Sequence, residues 1–204
     1  MTLCLLAICL VCSALLAGVY ALTAEPIAAA AAAKNEAAIK EVLPEAAVAI
    51  EEERTVEMDG QTYSYNLAYD EQGNTVGCAI NVSALGFGGP IVIKVGFNAE
   101  GLIWNTKVLS QAETPGLGAK CTEPSFSDQF KQFNPAEKSL KVKKDGGDVD
   151  AITASTITSR AYTQGLALAV NLYSAIAGTP MPLDSWTGAS VDSSVIPSEA
   201  EGSN

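Results

Sequence analysis

The sequence predicts an α+β protein: an N-terminal transmembrane helix, then an antiparallel-sheet domain with helices packed against it. Three observations carry this. Residues 1–24 contain no charged side chain. From about residue 46 the chain breaks into short β-like runs separated by turn residues. Residues 159–177 (SRAYTQGLALAVNLYSAIA) then read as one long amphipathic helix, closed by Gly178 and Pro180. At 204 residues there is room for one domain with accessories. The expected division is 1–24 as anchor, 25–45 as an Ala-rich connecting helix, 46–180 as the folded domain and 181–204 as a flexible acidic tail, with Trp186 its one strong anchor.

The anchor is the run Leu3 to Leu22 (LCLLAICLVCSALLAGVYAL). Twenty residues at about 1.5 Å each span roughly 30 Å, the thickness of a hydrocarbon core. Small residues around Ala21 and Ala24 also resemble a signal-peptide cleavage site. The run exceeds a normal signal core and no Lys or Arg precedes it, so an uncleaved anchor is expected. A start placed downstream of the true one would also remove such basic residues. With no charge on the short side, the default orientation puts the acidic domain outside the cytoplasm. Cys4, Cys9 and Cys12 read as small apolar packing residues.

After Pro26, the segment IAAAAAAKNEAAIKEVLP combines the best helix former with an i,i+4 pair, Glu36 and Lys40, and a stop at Pro44. Strands are expected at Arg54–Met58 and Gln61–Tyr69 around the tight turn Asp59-Gly60. Further strands are expected at Thr75–Leu85, ending in the breaker GFGGP, and at Ile91–Phe97 and Leu102–Ser110 around Asn98–Gly101. Ser125–Phe133 reads as a short helix with Phe126, Phe130 and Phe133 on one side, and Ser139–Lys144 as a final strand. The acids of the following KDGGD turn lack the full calcium-loop pattern, so a solvated turn is expected.

The 23 Asp/Glu against 12 Lys/Arg give a formal charge of −11, all of it beyond residue 24. That surface repels phosphate backbones, so nucleic acid is not an expected partner, and it suits an extracytoplasmic body. There is no histidine, which excludes Ser-His-Asp and Cys-His catalysis and His-ligated zinc. Any redox or group chemistry must come from a cofactor. No C-x-x-C pair is present, and Cys78 and Cys121 are either a disulfide or free buried thiols.

Two stretches exceed structural need. In SQAETPGLGAK (Ser110 to Lys120), Leu117 between two glycines is either part of a plain turn or an exposed apolar tip covering a planar ligand. In DAITASTITSRA (Asp150 to Ala161), five of the seven residues from Thr153 to Ser159 carry hydroxyls. They stand before a helix, where one hydroxyl suffices as a cap and free N–H groups attract anions. Capping and phosphate binding both remain open on the residues alone.

The apolar N-terminal run, the Ala-rich helix, ETPGLG and DAITASTITSRA, in this order, resemble the G subunit of Rnf-type ion-translocating ferredoxin:NAD oxidoreductases, from Leu3 to about Gly178. The acceptor pattern of that family is D-x-x-[ST]-G-A-T. Asp150 matches the acid, Thr153 the [ST] position and Thr156 the acceptor, while Ala154 replaces Gly and Ser155 replaces Ala. The resemblance implies an extracytoplasmic domain carrying FMN as a phosphoester on Thr156, attached by a magnesium-dependent flavin transferase from FAD. It implies that Thr153, Ser155, Ile157 and Thr158 surround the phosphate. Glu113, Thr114, Gly116, Leu117 and Gly118 would lie against the isoalloxazine ring. Lys143 or Lys144 would lend the ring positive charge, unless they are a solvated edge pair. The implied role is electron transfer within a complex that couples ferredoxin/NAD electron flow to ion movement, with no independent catalysis. Implied partners are the other membrane and iron–sulfur subunits, the transferase and the lipid bilayer, in a single-pass protein of the bacterial inner membrane. The C subunit of sodium-translocating NADH:quinone reductases shares both motifs but is usually longer. An anchored binding domain without flavin is the reading outside this class.

Overall fold

The computed structural model describes residues 2–178, without the side chains of Leu3, Cys4 and Ala7. Pro180, Trp186 and the acidic tail lie outside the described residues. The chain divides into two units, one up to Ala37 and the other from Ala38 onward.

The first unit is helical. Helix α1 runs from Thr2 to Val42 over 41 residues, with Pro26 inside it. The expected boundary between anchor and connecting helix is therefore absent: the two form one element. Proline removes one N–H and leaves one upstream carbonyl without its i+4 donor. The alanines that follow have the highest helix propensity and hold the flanking turns together. The segment Ile8–Val42 is long and apolar enough to cross a membrane, and its apolar stretch is not packed against protein. Leu10, Leu15, Leu16 and Leu22 are all exposed. The hydroxyl of Thr23 donates to the Val19 carbonyl at 2.8 Å, which satisfies a polar group within the helix itself.

The second unit is built on a six-stranded antiparallel sheet in the order β1-β3-β4-β5-β6, with β2 also pairing β3. Its strands are β1 (Ala49–Ile50), β2 (Arg54–Met58), β3 (Gln61–Tyr69), β4 (Thr75–Leu85), β5 (Pro90–Asn98) and β6 (Ile103–Ser110). Only the two-residue β1 lacks a sequence signal. The β2–β3 hairpin turns at Asp59 (φ 53°) and Gly60 (φ 76°), the positive-φ pair of a primed turn. The β5–β6 turn is held by Asn98, whose Oδ1 accepts the N–H groups of Glu100 (3.1 Å) and Leu102 (2.9 Å).

Two expected elements between the sheet and the last helix differ. Ser125–Phe133 is not one helix but a single turn, α2 (Pro124–Ser127), followed by a 3₁₀ turn at Asp128–Phe130. Gln132 at φ 53° breaks it, and Phe133 then exchanges backbone hydrogen bonds with Ile103 at 2.9 and 3.0 Å. The three phenyl rings are still buried: Phe126 and Phe130 both meet Tyr162, at centroid distances of 5.2 and 5.1 Å. Ser139–Lys144 is not a strand. It pairs locally, Asp148 N–H to Ser139 O (3.2 Å) and Val149 N–H to Lys141 O (3.0 Å), so its backbone needs no place in the sheet.

Helix α3 (Thr156–Ala177) lies across one sheet face, its buried side including Tyr162, Leu166, Ala169, Val170 and Leu172. These pack with Ile80, Val82, Ile93, Val95 and Phe97 of β4 and β5 into one core. Ile39, Val42 and Leu43 pack with Ala68 and Ala79 as a second cluster. Also fully buried is Lys94 of β5, whose Nζ reaches Asn66 Oδ1 only at 3.5 Å.

Candidate functional site

The two stretches singled out by composition meet. A cleft of about 400 Å³ is lined by Glu113, Thr114, Leu117 and Gly118 from the loop after β6, and by Ala154 to Thr158 at the start of α3. Phe87, between β4 and β5, completes it. The volume lies within the roughly 300–1,000 Å³ typical of small-molecule sites.

Glu113 joins the three segments. It is buried at 5% exposure although it carries a carboxylate. Thr158 Oγ1 donates to its Oε2 at 2.6 Å, across 45 residues of sequence, and Gly88 N–H donates to its Oε1 at 2.9 Å. The backbone closes on the carboxylate from both sides. A Cβ at Gly86 would stand 2.2 Å from Oε1 and a Cβ at Gly118 2.1 Å from Oε2, so a side chain at either position would push the carboxylate away from its two donors. A charged, two-donor bond set of this kind is strong enough to hold the loops at fixed separation.

At the other end of the cleft the helix terminus is open. Ser155 is the N-cap of α3 (φ −134°, ψ 49°), and no side chain caps it. The hydroxyls have other tasks. Thr158 is bound to Glu113, while Ser159, fully buried, accepts from Ile152 N–H and donates to Ser155 O, each at 2.9 Å. No side chain of the run caps the helix. Thr156, Ile157 and Thr158, the first turn at the positive end of this 22-residue helix, line the cleft. Ala154 lies in the left-handed region at φ 63°, the conformation that favours the glycine this chain lacks there.

The mouth is apolar. Phe87 is 73%, Ile157 52% and Leu117 43% exposed, three large apolar side chains turned outward around one opening. Glu113, Thr114, Leu117, Gly118, Ser155, Thr156, Ile157 and Thr158 thus line one cleft. Thr153 is exposed one step outside the lining, and Gly116, at φ 78°, shapes the turn without lining it. Lys143 is not among the lining residues. Its Nζ is paired with Asp150 at 2.7 Å on the surface, because the segment that carries it folds on itself instead of running along the sheet. Phe87 was legible only as part of a chain breaker; an aromatic between two glycines, like Leu117 between Gly116 and Gly118, is the signal that identifies it. The described cysteines form no disulfide, and Cys78 and Cys121 are buried free thiols pushed up by burial to about 12 and about 11.

An uncapped helix terminus at one end and an apolar mouth at the other suit a binding domain for a ligand with an anionic part and an apolar part. Residues 86–171 match the FMN-binding domain family, and residues 2–42 match the RnfG N-terminal region. The chain is 37% identical over 172 residues to the G subunit of the ion-translocating oxidoreductase complex of Methanosarcina acetivorans, covering 82% of this chain and 90% of that one. It is 35% identical over 106 residues to the G subunit of the Na(+)-translocating ferredoxin:NAD(+) oxidoreductase complex of Acetobacterium woodii, an alignment spanning 50% of this chain and 51% of the relative. Among solved structures, the C subunit of the Na(+)-translocating NADH-quinone reductase from Parabacteroides distasonis is similar at 22% identity and a TM-score of 0.49, covering 64% of this chain and 79% of that one. The chain belongs to the family of G subunits of ion-translocating oxidoreductase complexes.

Proposed function

We propose that this chain is the membrane-anchored electron-transfer subunit of an ion-translocating oxidoreductase complex, carrying FMN as a phosphoester on Thr156. The observation that carries this is the cleft itself, where an open helix terminus and the Thr156 hydroxyl share one cavity with the apolar tips Leu117 and Phe87. FMN supplies reversible electron transfer that no side chain of this histidine-free protein provides. The chain's own residues bind and orient. First-turn N–H groups of α3 stabilise the phosphate charge, Thr156 tethers it, and Glu113 keeps the Leu117 loop against Thr158. A flavin transferase would form the Thr156 O–P bond and break the phosphoanhydride of FAD, releasing AMP and the hydroxyl proton. A tethered carrier suits relay to neighbouring redox subunits rather than turnover of a free substrate. In this reading α1, whose Ile8–Val42 segment is long and apolar enough to span, anchors the chain in the cytoplasmic membrane in a single pass with the acidic domain outside.

The test compares Thr156→Val with Ser155→Ala, each co-expressed with a flavin transferase. Intact mass and in-gel fluorescence after denaturation report attached flavin. We expect the wild type and Ser155→Ala to carry one FMN and Thr156→Val to carry none. Flavin retained by Thr156→Val moves the tether elsewhere, and an unmodified wild-type mass removes the covalent carrier reading.

A further inference from the structure

Phe87 combines a rigid backbone with an unpartnered side chain. The turn that bears it is closed by the bond from Gly86 N–H to Gly89 O (2.9 Å), and the next residue, Gly88, donates to buried Glu113 at 2.9 Å. The ring itself is 73% exposed, more than any other large hydrophobic side chain among the described residues of the sheet domain. The rings of Phe97, Phe126, Phe130, Phe133, Tyr162 and Tyr173 pair among themselves, and Phe87 joins none of these contacts. A water-facing phenyl ring held at a fixed place on the wall of a cleft is suited to cover something flat.

We propose that Phe87 is the aromatic platform of this cleft and stacks on the isoalloxazine ring of the FMN, with Leu117 and Ile157 supplying the aliphatic contacts. This rests on the FMN reading given above. One consequence follows from the electronics of a phenyl face, which carries partial negative charge. Contact disfavours the electron-rich reduced ring relative to the oxidised one, so Phe87 lowers the midpoint potential. Phe87 would then set both the pose and the driving force of the carrier, from a loop tied to the same Glu113 carboxylate that orders the Leu117 loop and Thr158.

The experiment uses the full chain in detergent, co-expressed with the flavin transferase, as wild type, Phe87→Ala, Phe87→Leu and Phe87→Tyr. Flavin content is read after denaturation and used to normalise the native fluorescence. A wild type without flavin rejects the FMN reading and the flavin platform with it, whatever the Phe87 variants do. With flavin present, we expect the midpoint potentials of Phe87→Ala and Phe87→Leu to move positive and that of Phe87→Tyr to stay near the wild-type value. Because a phenol, unlike a phenyl ring, can donate an electron to the excited flavin, the normalised emission of Phe87→Tyr should fall severalfold below that of the wild type. Loss of flavin in the Ala and Leu variants, with wild-type circular dichroism and rescue by Tyr, also supports the platform. Potentials unchanged in the loaded Ala and Leu variants, or emission of loaded Phe87→Tyr equal to that of the wild type, overturn it. So does loss of flavin in all three variants, which would tie Phe87 to folding or to the transferase rather than to the ring.

Discussion

Replacing Glu113 is the most direct perturbation of the cleft, because one carboxylate joins three segments. In Glu113→Ala the buried Thr158 hydroxyl loses the acceptor of its 2.6 Å bond, and a stranded buried donor costs about 1–3 kcal/mol. The N–H of Gly88 loses its acceptor too, but Gly88 is exposed and water can replace it, at a cost of about 0.5–1 kcal/mol. Removing a buried carboxylate recovers part of its desolvation cost, which leaves a net loss of roughly 2 kcal/mol. For a chain of this size that corresponds to a fall in Tm of about 4–8 °C, read by circular dichroism on the full chain in detergent. Glu113→Gln should lose less, about 0.5–1 kcal/mol. The amide oxygen still accepts from Gly88, and the Thr158 hydroxyl can turn to accept from the new NH₂. The two variants should also differ in function, Glu113→Ala losing attached flavin while Glu113→Gln retains it. Equal melting of Glu113→Ala and wild type, or equal damage by Ala and Gln, would refute the bridging role.

Two further substitutions address backbone and charge. Ala154→Gly relieves a left-handed alanine at φ 63° and should stabilise the protein by about 1 kcal/mol, raising Tm by about 2–4 °C in a thermal melt; no gain would mean that the strain is relieved in solution. Burial lowers the Lys94 ammonium from 10.5 to about 8. Between those values the unfolded chain binds more protons than the folded one, so this group makes stability rise with pH across that window and weighs against folding below it. The whole rise amounts to roughly 3 kcal/mol, of which about 2 kcal/mol falls between pH 8 and 10. The raised Cys78 and Cys121 thiols act in the opposite direction in both proteins, so urea titrations at pH 8 and 10 should show the rise as a gain of the wild type relative to Lys94→Met. Identical slopes would show that Lys94 is not titrating there.

Much of the fold was legible because its signals are local. Five strands announce themselves by β-rich runs between turn residues, and the apolar N-terminal run and amphipathic α3 by length and periodicity. The failures arise where nearby backbone partners compete. Ser139–Lys144 has strand-like residues but closes its hydrogen bonds with Asp148 and Val149. The Phe126–Phe133 segment keeps its buried phenyl rings while Gln132 ends its helical course.

Composition and spacing determined that a hydroxyl-rich run precedes a long helix, that a glycine-bracketed leucine stands in a separate loop, and that histidine chemistry is absent. Only the tertiary structure decided that the hydroxyls leave the helix uncapped, that Cys78 and Cys121 stay as thiols, and that Phe87 shares a cleft with Thr156 while Lys143 does not. The reason lies in range. Helix and strand propensities act over a few residues, whereas the Glu113 carboxylate finds Thr158 45 residues away only after sheet and helix have packed and removed both from water.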